Sequence, residues 1–120
     1  MEITRELTVP APREEVWEAL TDAERLAEWF ANDVELDPRP GGRGVFRWDD
    51  GETRTAVVEE ADAPRRFGFR WADEDGEEGE VAFELEEADG GTKVTVRETT
   101  ACAGEFSTAL ELRWAFLVTA

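Results

Sequence analysis

The stretch Pro10-Ala-Pro-Arg-Glu-Glu-Val-Trp-Glu-Ala-Leu-Thr-Asp-Ala-Glu-Arg-Leu-Ala-Glu-Trp-Phe30 decides the fold of this 120-residue chain. It reads as two short amphipathic helices in tandem. Pro12 suits a first helical turn, and Glu14 and Glu15 follow near the positive end of the helix dipole. Val16, Trp17 and Leu20 give that helix its apolar face. Thr21 and Glu24 have capping-box spacing for a second helix. Within it Ala23, Leu26, Ala27 and Phe30 recur with helical period, and Trp29 widens the stripe.

Everything around this pair reads as strand until the last segment. Before it, Ile3, Leu7 and Val9 alternate with Glu2, Thr4, Glu6 and Thr8, as in a half-buried strand. After it, strands are expected over 33–36, 44–48, 53–60, 65–71, 79–87 and 92–99. Pro38 to Gly42, Asp49-Asp50-Gly51, Ala63-Pro64 and Asp89-Gly90-Gly91 punctuate them. Hairpin-like joins imply an antiparallel sheet. Over 104–120, Phe106, Ala109, Leu110, Trp114 and Leu117 recur at helical spacing, predicting a closing helix.

Composition removes several function classes. With 13 basic residues against 30 acidic, the net charge is −17. Such a surface repels nucleic-acid phosphates and anionic membranes alike. The chain has no His and no Tyr, which excludes a Ser-His-Asp triad, an imidazole zinc site and a phenolic acid. Any acid or base must be a carboxylate, Lys93 or the lone Cys102. The acidic run 73–78 lacks calcium-loop spacing, since Trp71 stands where the first oxygen ligand would be needed. No metal, no cofactor and no catalytic set are expected. Met-Glu-Ile-Thr-Arg at the start lacks the apolar core of a secretory signal, and a single Cys suits a reducing compartment, so a cytoplasmic location is expected. The length predicts one domain over 1–120.

The element order β-αα-β6-α resembles the helix-grip fold of the START and birch-pollen-allergen superfamily, also called SRPBCC. Local sequence narrows the resemblance. Ile3-Thr4-Arg5, Ala11 to Asp22, Leu26 to Phe30, Pro38 to Arg43 and Pro64 to Trp71 are similar to the activator-of-Hsp90-ATPase homologue family. The chain departs from that family at its end, where 112–120 is unusually apolar. The resemblance implies an α+β fold in which a seven-stranded antiparallel sheet wraps around the C-terminal helix. It also implies a groove between sheet and helix that holds a hydrophobic or amphipathic small molecule.

The residues supply such a groove with walls. By alternation Phe46, Trp48, Phe67, Phe69, Trp71 and Phe83 are expected on the concave face. Phe106, Leu110 and Trp114 are expected to face them, with Trp29 and Phe30 near the mouth. Aromatics on such a face also serve simply as core. Three charged residues interrupt apolar faces: Arg5 between Ile3 and Leu7, Glu98 after Val96, and Glu60 after Val58. In the resembled fold the first and last strands are neighbours, so Arg5 and Glu98 are expected to pair in the groove and orient the polar end of a ligand. The resulting reading is a ligand-binding domain, monomeric or homodimeric. The alternatives are a protein-binding, chaperone-regulator-like module and a cyclase- or aromatase-type enzyme.

Overall fold

A computed structural model describes residues 2–99, the Trp29 side chain excepted. The elements are β1 (Glu2–Val9), α1 (Arg13–Thr21), α2 (Ala23–Trp29), β2 (Asp33–Leu36), β3 (Arg43–Arg47), β4 (Thr53–Asp62), β5 (Arg66–Ala72), β6 (Glu78–Ala88) and β7 (Gly91–Thr99). The helix expected over 104–120 lies outside the described residues.

The helix pair forms where the periodicity places it, but one cap differs. Val16, Ala19 and Leu20 of α1 are buried, as their helical spacing requires. Thr21 stays helical and buried, and its hydroxyl donates back to the Trp17 carbonyl at 2.7 Å. It is therefore not the N-cap expected from the Thr21–Glu24 spacing. Asp22 is extended, ends α1 by donating its N–H to the Glu18 carbonyl, and caps α2 by accepting from the Glu24 N–H at 2.9 Å. One residue thus closes the first helix and opens the second. Leu26 is the buried anchor of α2, and Ala23, Ala27 and Phe30 pack partly buried beside it.

The seven strands form one antiparallel sheet in the order β1-β7-β6-β5-β4-β3-β2. The first and last strands are neighbours, and the architecture is the α+β helix-grip fold. Tight turns join β2 through β7, and the Ala63–Pro64 peptide between β4 and β5 is cis. At the β6–β7 turn, Gly91 packs directly on the Val9 carbonyl, where a Cβ would collide with it. The buried Thr92 hydroxyl then donates to the Ala11 carbonyl at 2.7 Å. These contacts tie β7 to the chain as it leaves β1 for α1.

One face of the sheet is concave, apolar and buried. The register lines its inward residues into rows across the strands. One row runs Ile3, Glu98, Val81, Phe69, Val58. The next runs Arg5, Val96, Phe83, Phe67, Ala61. On the other side of the first, Gly79, Trp71, Ala56, Gly44 and Leu36 align, followed by Arg54, Phe46 and Val34. A β-bulge between Val58 and Glu60 keeps both Val58 and Ala61 on the inner face.

Candidate binding site on the concave face

The aromatic residues expected on the concave face meet in one network of ring contacts. Phe83 stacks on Phe67 at 6.4 Å, and Phe67 contacts Phe69 at 5.9 Å. Phe69 reaches Phe46 at 5.9 Å and Trp71 at 5.5 Å, and those two meet edge to face at 5.7 Å. Phe30, at the end of α2, contacts Phe46, Trp48 and Trp71 at 5.7, 5.3 and 5.9 Å. The Trp48 indole N–H donates to the Phe30 carbonyl at 3.0 Å, fixing the helix end against the β3–β4 turn. Phe46, Phe67, Phe69, Trp71 and Phe83 are all buried, whereas Phe30 and Trp48 are half-buried and form the rim. Trp17 of α1 packs edge-on against Phe67 at the opposite margin. Phe106, Leu110 and Trp114 lie outside the described residues, as does the Trp29 side chain.

The charged positions divide. Glu98 lies on the concave face, 1% exposed, between Ile3 on β1 and Val81 on β6. A carboxylate in such a place needs compensation by hydrogen bonds or opposite charge. Arg5 lies on the same face, diagonally across from Glu98, but on an edge strand where it is exposed. That separation is within reach of a long side chain. Glu60 is not a groove residue. The bulge after Val58 reverses the strand's phase, so Glu60 stands opposite Gly68 on the outer face and is exposed.

A further charge belongs to the face and was not read from the sequence. Arg54 is 4% exposed and stands opposite Phe46. Its guanidinium carbon lies 4.6 Å from the Trp71 ring centroid and 5.4 Å from that of Trp48. Its Nη2 donates to the Glu52 carboxylate at 2.6 Å. The signal was phase: Arg54, Ala56 and Val58 share one side of β4. It was masked because Thr53, Thr55 and Val57 on the other side are equally β-prone.

The acidic turn 73–78 is organised by its own backbone. Asp73 accepts from the Asp75 and Glu77 N–H groups at 2.9 Å each. Among the described residues, no cluster of three or more metal-ligating side chains occurs. Nor is any described helix long and apolar enough to cross a membrane.

Comparison with known proteins agrees with this architecture. The family model described as Activator of Hsp90 ATPase homolog 1-like protein matches residues 10–115. No curated protein matches the sequence. Among solved structures, CalU16 from Micromonospora echinospora, in solution, aligns with a TM-score of 0.81 at 25% identity, over 98% of this chain and 65% of that one. DynU16, a protein of the dynemicin biosynthetic locus, aligns with a TM-score of 0.75 at 28% identity, over 98% of this chain. This chain spans only 44% of the DynU16 chain. CV1439 from Chromobacterium violaceum shares the fold over nearly the full length of both chains, with a TM-score of 0.79 at 17% identity.

Proposed function

The chain belongs to the Activator of Hsp90 ATPase homolog 1-like protein family, and on that premise we propose that its concave face binds a hydrophobic or amphipathic small molecule. The observation that carries this reading is a continuous aromatic wall with charge set into it. Five buried aromatics, Phe46, Phe67, Phe69, Trp71 and Phe83, share a face with the buried Glu98 and Arg54. Apolar walls with a few placed polar groups are the usual makeup of small-molecule sites. A core that needed only stability would do as well with apolar residues at the two charged positions. The similarity to DynU16, from a biosynthetic locus, supports a small-molecule setting.

The ligand-contacting residues in this reading are the wall aromatics, with Phe30 and Trp48 at the rim. Trp29, Phe106, Leu110 and Trp114 complete the set on sequence grounds. Glu98, with Arg5 beside it, orients the ligand's polar end. The lack of His and Tyr weighs against cyclase- or aromatase-type catalysis, which would have to run on a carboxylate or an arginine. A second reading, docking onto a basic protein surface, draws on the net charge of −17 and on the family.

Native mass spectrometry of the purified protein, with a thermal-shift panel of lipids and aromatic compounds, separates the readings. A co-purified small molecule, or panel compounds that raise Tm in the wild type and less in Glu98→Gln, supports ligand binding. No bound mass and no stabilisation by any panel member contradicts it and leaves the docking reading.

A further inference from the structure

Resting on the reading of the concave face as a binding surface, we infer that Arg54 selects the ligand, and that the ligand is a flat aromatic molecule bearing an anionic oxygen group. The guanidinium carbon lies over two indoles, 4.6 Å from the Trp71 ring and 5.4 Å from the Trp48 ring. A planar, weakly hydrated cation is the side chain suited to that slot, and its fork matches carboxylate geometry. Contact with two rings restricts the side chain and so lowers the ordering cost of binding an anion.

Glu52 shows the chemistry within the protein. Its carboxylate meets Arg54 at 2.6 Å from the solvent side, with 37% of its own side chain exposed while that of Arg54 is 5% exposed. An anionic group therefore approaches this guanidinium from the side where Glu52 stands, and competes with it there. Phe30 and Trp48, half-buried beside this point, offer rings on which a flat ligand stacks as its charged group enters.

The rest of the molecule sharpens the need for such a residue. A net charge of −17 disfavours anions in general. Screening confines that field to about 8 Å at physiological salt, so an anion is accepted only where a local cation outweighs it. Arg54, drawn out of water beside two indoles and paired with Glu52, is the cation on this face that an incoming anion would have to win from that carboxylate. A methionine of similar reach would fill the same slot without the cost of desolvating a charge.

Fluorescence titration of the full chain with two matched probes tests this. Anilinonaphthalene sulfonate carries the anion, and N-phenylnaphthylamine is the related scaffold without it. In the expected result the wild type binds both. Arg54→Met then weakens the sulfonate at least about tenfold, in line with loss of a charged hydrogen bond, and leaves the neutral amine unchanged. Glu52→Gln removes the competing carboxylate and strengthens the sulfonate several-fold, whereas Glu77→Gln in the exposed acidic turn, an equal change in net charge, does not. Should Arg54→Met fail to fold, the Glu52→Gln and Glu77→Gln comparison decides. The inference is overturned if Arg54→Met weakens both probes equally or neither, or if Glu52→Gln leaves sulfonate binding unchanged or weaker. A wild type that binds only the neutral probe overturns the inference while sparing the binding reading. Binding of neither probe overturns both.

Discussion

The two faces of the single sheet solve opposite problems with the same backbone alternation. On the convex face charges meet in water. Arg70 lies 3.1 Å from Glu59 and 3.4 Å from Glu80, and Lys93 lies 3.8 Å from Glu6 and 3.6 Å from Glu86. Arg47 holds Asp33 at 2.8 Å and Glu35 at 2.9 Å. On the concave face rings meet rings, and Arg54 and Glu98 are buried among them. The difference teaches where the free energy lies. Exposed pairs each contribute little, because water solvates either partner alone. Aromatic burial contributes far more per residue. A sequence rich in charge is thus held together by its buried apolar positions.

The largest expected effect comes from puncturing the concave wall. Phe46 is fully buried and touches Phe30, Trp48, Phe69 and Trp71 through ring contacts. Phe46→Ala is expected to cost about 3–5 kcal/mol in urea denaturation, because the surrounding rings cannot collapse into the space. Thr92→Val should cost about 1–2 kcal/mol by the same measurement, since it leaves the buried Ala11 carbonyl without its hydroxyl donor. Arg70→Ala, on the other face, should cost less than about 1 kcal/mol, and the loss should shrink in high salt. A cost for Arg70→Ala equal to that of Phe46→Ala would break the contrast between the faces.

The smallest effect is a pH one. Asp37 is held below the ordinary 3.8 of an aspartate by its hydrogen bonds with the Arg39 side chain and backbone. Its contribution to stability is therefore present above that value and is lost as pH falls through the lower folded pKa. An NMR titration of the Asp37 carboxyl should give a midpoint under 3.8 that returns toward it in Arg39→Ala. A midpoint unchanged by that substitution would remove the cause assigned to it.

The fold was legible because its signals are local and agree with one another. Helical spacing in 10–30, period-two alternation in β5 and β6, and Gly- and Pro-marked turns each specify an element without reference to the others. The buried face was legible where a strand had one plainly apolar side, as with Phe67, Phe69 and Trp71. It failed on β4. There both sides are β-prone, and the bulge after Val58 shifts the phase. Glu60 was read as inward and is outward, and Arg54 was overlooked. The same strand bears Val57, 46% exposed on the convex face, so hydrophobicity alone could not choose the side. Only its register against β3 and β5 does so.

The central claim is that the concave face, and not the charged one, is where this protein meets a ligand. Proton–nitrogen correlation spectra recorded during titration with anilinonaphthalene sulfonate test it most directly, with the Trp48 and Trp71 indole N–H signals as reporters. The account predicts saturable shifts in these two signals and in the amides of β3, β5 and β6, with Lys93, Arg97 and the acidic turn unmoved. Shifts confined to the convex face, or none with either the sulfonate or N-phenylnaphthylamine at saturation, would contradict it.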